Sequence, residues 1–181
     1  KLSGAGKDKV LLLEVSGLIS SHESEGFLVE RPSVLAQMKE MLTRAADDER
    51  VKAVVLRINS PGGTVTASDI LYHELLAFKD KRKIPVIASI MDVGASGGYY
   101  VAMAADKVFV HPSSITGSLG VIMVSVNARG LLEKVGVEAI AVTSGPRKDM
   151  GSPFRSLTEE EQAIFHGVIM GFYDRFLSVI K

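Results

Sequence analysis

The sequence contains no cysteine and no tryptophan, and only 6% of its 181 residues are aromatic. Without cysteine the chain has no disulfide and no thiolate for catalysis or for a metal site. Its 21 basic and 21 acidic residues balance to a formal net charge of zero. No basic run is interleaved with aromatic residues, which argues against a nucleic-acid partner. No apolar run reaches the roughly 20 residues of a transmembrane helix. The 46% of hydrophobic residues therefore predict an aliphatic core of the α/β class.

Short apolar runs alternate along the chain with amphipathic stretches. The runs predict strands at residues 10–15, 52–58, 85–90, 107–110, 121–126 and 138–142, and helices are predicted to begin near residues 32, 66, 97, 131 and 158. This alternation predicts a largely parallel sheet with flanking helices. Residues 1–9 resemble a linker or a cloning remnant, so we expect the natural start and any anchor to precede them. Residues 10–181 are predicted to form a single domain.

A serine between glycines follows the apolar run at residues 85–90. The sequence is GASGG at residues 94–98, with Ser96 at its centre and small residues after it that predict a helix. Glycines permit a sharp turn between strand and helix, and such a turn presents a nucleophilic hydroxyl at the helix N-terminus. The alternative interpretation is a serine that only caps the helix.

A second glycine turn, PGG at residues 61–63, follows the predicted strand at residues 52–58. Parallel strands end at the same edge of a sheet, where the functional sites of α/β proteins gather. Backbone N–H groups of glycine are not covered by side chains, so the two turns together predict an oxyanion hole. Gly63 and Gly97 are the expected donors. Taken alone, PGG is equally consistent with a tight turn.

Three motifs in series resemble the signal peptide peptidase A family of serine/lysine proteases. They are NSPGG at residues 59–63, GASGGYY at residues 94–100 and TGSLGV at residues 116–121. The resemblance covers residues 10–181 and implies a Clp protease/crotonase-like fold of repeated ββα units. By motif it makes Ser96 the nucleophile and Lys148, in SGPRKD at residues 144–149, the general base. It also makes Ser118 the hydroxyl that orients this lysine, and it agrees with Gly63 as an oxyanion donor.

The resemblance also implies substrates, assembly and location. The family acts on apolar peptides such as signal peptides left in the membrane, and uses no cofactor and no metal. Its half-length members form homo-oligomeric domes or rings, an octamer among them, in which neighbouring protomers contribute the serine and the lysine. It places the protein at the bacterial cell membrane with the catalytic domain on the extracytoplasmic side. The family domain usually continues beyond the final helix, so its C-terminal part is expected to be missing after residue 181.

The peptide is expected to add as an extended strand in a groove. Residues 20–31 and the turn at residues 60–66 are predicted to line it, with Gly62, Thr64 and Val65 as substrate contacts.

The identity of the base is open on the residues alone. The order Ser96, Asp149, His166 matches that of α/β-hydrolases, but His166 lies within a predicted helix rather than a loop. His22, His73 and His111 are more consistent with solvent, packing or capping roles. A lysine acts as a base only if its pKa falls from about 10.4 towards neutrality. A crotonase-like acyl-CoA enzyme and a non-catalytic assembly module are the other interpretations.

Overall fold

The computed structural model describes residues 6–22, 24–25 and 30–181. The predicted loop at residues 20–31 falls partly outside these residues. The strands described are β1 (Lys9–Ile19), β2 (Ser24–Glu25), β3 (Glu30–Arg31), β4 (Val51–Gly63), β5 (Val86–Ala95), β6 (Lys107–Val110) and β7 (Ile115–Gly117). The helices are α1 (Val34–Ala46), α2 (Val65–Arg82), α3 (Gly97–Ala102), α4 (Arg129–Lys134) and α5 (Glu159–Ile180). The chain divides into two compact units: a sheet unit of Lys1–Gly120 with Phe176–Lys181, and a second unit of Val121–Arg175.

A parallel sheet forms the centre of the sheet unit. Its strand order is β1-β4-β5-β6, with β7 also paired to β5, and every pair in it is parallel. Strands β2 and β3 form a separate antiparallel pair. The predicted α/β class, with a largely parallel sheet and flanking helices, is confirmed. The described strands that join this sheet all precede Gly120, so the second unit adds no strand to it.

Side-chain alternation along β4 connects the core to the edge where the glycine turns lie. Val54, Leu56 and Ile58 are fully buried, and the same alternation continues inward through Ser60 and Gly62. A strand exposes alternate residues to opposite faces, so a polar residue at this register position enters the core. Such a group must be hydrogen-bonded to be tolerated there.

Helices α1 and α2 begin at capping hydroxyls and pack on the sheet. The Ser33 Oγ accepts a hydrogen bond from the Ala36 N–H at 3.1 Å, and the Thr64 Oγ1 accepts one from the Ala67 N–H at 3.3 Å. These bonds satisfy N–H groups that have no partner inside the helix. Helix α2 then buries Leu71 and other apolar side chains in the same core as the strands.

Two predicted strands, at residues 121–126 and 138–142, are wrong. Neither segment is a strand, and their apolar side chains face outward: Ile122 is 79% exposed and Val142 is 95% exposed. An apolar run becomes a strand only when another strand supplies the ladder of backbone hydrogen bonds, and the described residues supply none to these two segments.

Helix α5 begins with a capping box and is long. The Thr158 Oγ1 accepts from the Glu161 N–H at 3.2 Å, and the Glu161 carboxylate accepts from the Thr158 N–H at 2.9 Å. This confirms the helix start predicted near residue 158, where threonine is followed by three glutamates. By length and a mean hydropathy of 1.3 alone, α5 is sufficient to cross a membrane, contrary to the expectation that no stretch would be. Core helices of water-soluble proteins meet the same criterion, so it assigns no location.

Candidate active site

Ser96 lies between β5 and α3 in a backbone conformation that few residues other than glycine adopt. Its φ is 49° and its ψ is −119°. A non-glycine residue in such a conformation typically stores about 1–3 kcal/mol of strain, and persists only where its surroundings hold it. Here the Ser96 N–H donates to the Gly117 carbonyl at 2.8 Å, and the Ser96 carbonyl accepts from the Tyr100 N–H at 2.9 Å. The turn is thus fixed by β7 on one side and by α3 on the other.

The Ser96 hydroxyl does not cap the helix that follows it. The residue occupies the N-cap position of α3, but its side chain makes no capping hydrogen bond. Ser96 is also partly exposed. The capping interpretation of this serine therefore lacks the bond it requires. Nucleophiles in hydrolases are found in this arrangement: the hydroxyl lies on a strained strand-to-helix turn and makes no capping bond to the helix.

The two glycine turns touch each other. Gly62 has a φ of +109°, and a Cβ placed on it would lie 2.7 Å from the Gly97 nitrogen and 2.8 Å from the Ser96 Cβ. A Cβ on Gly97 would in turn lie 3.3 Å from the Gly62 Cα. The close approach and the positive φ both require glycine at residue 62. The expectation that PGG and GASGG meet at the sheet edge therefore holds.

Ser60 fixes the first glycine turn from inside the core. It is fully buried, and its Oγ donates to the Gly17 carbonyl at 2.6 Å and accepts from the Gly62 N–H at 3.1 Å. Its carbonyl would lie 2.7 Å from a Cβ on Gly98. Sequence reasoning singled out only the glycines of this turn. The signal for Ser60 was available in the alternation of β4, which sends every second residue inward.

Of the two expected oxyanion donors, Gly97 has the clearer position. It is the first residue of α3, and the first N–H groups of a helix have no partner within it. Gly63 ends β4 opposite Ile19 and is exposed. The expected substrate contacts Thr64 and Val65 come directly after Gly63 in the chain. The Thr64 N–H donates to the Ile19 carbonyl at 2.9 Å, and Val65 is the first residue of α2.

Ser118 lies beside the Ser96 turn. It directly follows Gly117, whose carbonyl accepts from the Ser96 N–H, and it too has a positive φ, of 53°. Its side chain is exposed. The sheet unit thus brings together Ser96, Ser118 and the two glycine turns.

Lys148 belongs to the second unit, in the turns at residues 144–152. Its N–H donates to the Gly145 carbonyl at 3.2 Å, and its side chain is exposed. Within the part of the chain that the structure describes, no ion pair includes Lys148. Asp149 is held instead by Arg155, whose Nε and Nη2 donate to its two carboxylate oxygens at 2.7 and 2.8 Å. Among the described residues, Asp149 bonds to Arg155 and no bond joins it to His166, as a triad would require.

Comparison with known proteins finds similarity to proteins that are named as peptidases and proteases. The family model for peptidase family S49 matches residues 78–181. The chain is 38% identical to a putative signal peptide peptidase SppA of Enterococcus faecium, over 98% of this chain and 51% of that protein. It is 37% identical to the putative protease slr0021 of Synechocystis sp., over 96% of this chain and 58% of that protein. The chain therefore spans about half the length of these relatives.

A solved structure shares the fold. It is a mutant of the 1510-N membrane-bound stomatin-specific protease in complex with a substrate peptide. It aligns with a TM-score of 0.52 and 21% identity, over 66% of this chain and 48% of that one. At this identity the likeness bears on the fold alone.

Proposed function

This chain belongs to peptidase family S49, a family of serine proteases, and on that premise we propose that it is an endopeptidase with a Ser96/Lys148 dyad. The observation that carries the proposal is the Ser96 turn. There a serine with a strained backbone and no capping hydrogen bond lies against the backbone of Gly62 and Gly97. The substrates proposed are apolar peptides such as cleaved signal peptides, consistent with the name of the Enterococcus faecium relative.

The proposed reaction proceeds through an acyl-enzyme. The Ser96 Oγ attacks the peptide carbonyl carbon while the Lys148 Nζ takes the hydroxyl proton. The N–H groups of Gly97 and Gly63 bind the oxyanion that forms, and one such donor typically contributes about 2.7–4 kcal/mol of transition-state stabilisation. Lys148 then returns the proton to the leaving amine. Water, activated by the same lysine, hydrolyses the ester and frees Ser96.

A neutral Lys148 requires an environment that disfavours its charge. Burial lowers a lysine pKa and a carboxylate partner raises it. Lys148 has no carboxylate partner among the described residues, but it is exposed in the single chain. We therefore propose that a neighbouring protomer covers it in a dome or ring, such as an octamer, with the dyad shared between protomers and Ser118 orienting the amine. The outward-facing apolar side chains of residues 121–126 support such burial.

The proposed location is the bacterial cell membrane, with the catalytic domain on the extracytoplasmic side. Support comes from the apolar substrates proposed and from the name of the Enterococcus faecium relative, a putative signal peptide peptidase. The groove proposed for the peptide is bordered by Gly62, Thr64 and Val65, at the edge of the sheet unit where β4 ends.

Two single variants and their mixture test the proposal. Ser96→Ala is expected to abolish labelling by a serine-reactive phosphonate. Lys148→Ala is expected to lower peptide hydrolysis by about 10²–10⁴-fold, the usual contribution of a general base. The exposed Lys134→Ala is the matched control and should retain wild-type turnover. If the dyad is shared, mixing the two inactive variants restores part of the activity. Wild-type turnover by Lys148→Ala, or an equal loss in His166→Ala, would contradict the dyad.

A further inference from the structure

Arg155 holds two carboxylates at once in the second unit. Besides its two bonds to Asp149, its Nη1 and Nη2 donate to the Glu161 oxygens at 2.8 and 2.5 Å. The Glu161 side chain is 4% exposed, and those of Asp149 and Arg155 are 23% and 29% exposed. A guanidinium that makes paired bonds to two carboxylates is geometrically restricted, because each pair fixes the plane of the group.

The effect of Arg155 on both carboxylates is the same in sign. Hydrogen bonds from Arg155 hold the pKa of Asp149 below its ordinary value. Together with the Thr158 N–H, they lower the pKa of Glu161 to about 2. The two acids therefore stay ionised over the whole physiological range. Two permanent negative charges next to a lysine would favour its protonated form unless another cation took them up.

Lys148 shares its surroundings with these acids. Residues 144–148 line one open cleft together with Thr158, Glu160 and Glu161, and Asp149 follows Lys148 in the chain. The third acid of the group, Glu160, forms an ion pair with Arg147. The two carboxylates that line this cleft with Lys148, and that of the adjacent Asp149, are therefore engaged by arginines. The Arg147–Glu160 pair is largely exposed, and exposed ion pairs contribute little to stability. Arg155 is therefore the residue that chiefly holds the carboxylates of this group in place.

We propose that Arg155 is a positioning residue for the Lys148 amine: by binding Asp149 and Glu161, it denies this amine a carboxylate partner. The inference rests on the proposed role of Lys148 as the base. Its consequence is quantitative. A carboxylate released into this cleft would favour the charged form of the amine, and for a lysine each unit by which the pKa rises lowers the neutral fraction about tenfold at a pH below that pKa.

The pH profile of kcat/KM for peptide hydrolysis tests this inference in the full-length assembly. Arg155→Gln frees Asp149 and Glu161, so the acid limb of the profile is expected to move up by about one pH unit, with about a tenfold loss at pH 7. Adding Asp149→Asn to Arg155→Gln is expected to move the acid limb most of the way back to its wild-type pH. Arg129→Gln is the matched control, because it removes an exposed arginine–glutamate pair of the same unit and should leave the limb in place.

A second measurement follows Lys148 itself and does not depend on turnover. The rate at which a small acylating reagent modifies Lys148, quantified by peptide mass spectrometry over pH, gives the midpoint of its own titration. This midpoint is expected to rise in Arg155→Gln. The midpoint should also rise in Arg155→Lys, which retains the charge without the paired hydrogen bonds. This second variant replaces Arg155→Gln if the glutamine variant does not fold. An unmoved midpoint overturns the inference. Wild-type turnover by Lys148→Ala would instead overturn the proposed function, so the two failures are distinguishable.

Discussion

Replacing Gly62 by alanine is the sharpest perturbation of the nucleophile turn. The new methyl group would lie 2.7 Å from the Gly97 nitrogen and 2.8 Å from the Ser96 Cβ. Both distances are shorter than a Cβ atom tolerates, so one of the neighbours must shift. Both contacted atoms belong to a turn that is already strained. The φ of +109° adds a penalty of its own for a residue with a side chain.

The expected magnitude combines two contributions. Left-handed backbone typically costs an L-residue about 1–2 kcal/mol, and forcing a methyl group into a packed space costs about 1–3 kcal/mol. Gly62→Ala should therefore lower the free energy of unfolding by about 2–5 kcal/mol. If the methyl group displaces the Gly97 N–H from the oxyanion, turnover should also fall by about 10²–10³-fold.

Gly136→Ala is the control that separates strain from displacement. Gly136 has a φ of +73° and no atom within 4 Å of a Cβ placed on it, so the substitution carries the backbone penalty alone. It should cost about 1–2 kcal/mol and leave kcat unchanged. Chemical denaturation gives the stability of both variants, and hydrolysis of a fluorogenic apolar peptide gives their activity. Wild-type kcat in Gly62→Ala would refute the conclusion that this backbone bears on the nucleophile.

Two further predictions concern groups outside the proposed dyad. Ser60→Ala leaves the buried Gly62 N–H without its acceptor and should cost about 1–3 kcal/mol in denaturation, with reduced turnover because the glycine turn loosens. An unchanged denaturation midpoint would show that the hydrogen bond from the Gly62 N–H to the Ser60 Oγ is dispensable. Because the pKa of Glu161 is lowered from 4.5 to about 2, its stabilising effect is present above pH 4.5 and is lost as the pH falls towards 2. The melting temperature should therefore drop between pH 5 and pH 3 by less in Glu161→Gln than in the wild type, and equal drops would contradict the assignment.

The features predicted correctly from the sequence are those decided by local physics. The apolar runs at residues 10–15, 52–58 and 85–90 show strand character in their own composition, and they became β1, β4 and β5. Helix α5 begins where it was predicted, near residue 158, because its two capping bonds span only three residues. The meeting of the glycine turns was also foreseeable, because parallel strands end at one edge. These predictions required no knowledge of the tertiary packing.

The features that failed or were missed depend on distant partners. Residues 121–126 and 138–142 have strand-like composition, but a strand exists only where another one pairs with it. The capping interpretation of Ser96 was open until its backbone angles and bonds were known. Arg155 carries no motif, and its bonds to Asp149 and Glu161 arise from how the turns at residues 144–152 fold against the start of α5.

The two residues of the proposed dyad are held by different physics, and this predicts how the site responds to its surroundings. Ser96 is fixed by backbone hydrogen bonds at the edge of a buried sheet and by close contact with Gly62, which neither salt nor pH perturbs directly. The Lys148 turn depends on the ion pairs of Arg155, which weaken when Asp149 and Glu161 become protonated. Acid should therefore act first on the environment of the base, while the nucleophile turn keeps its geometry.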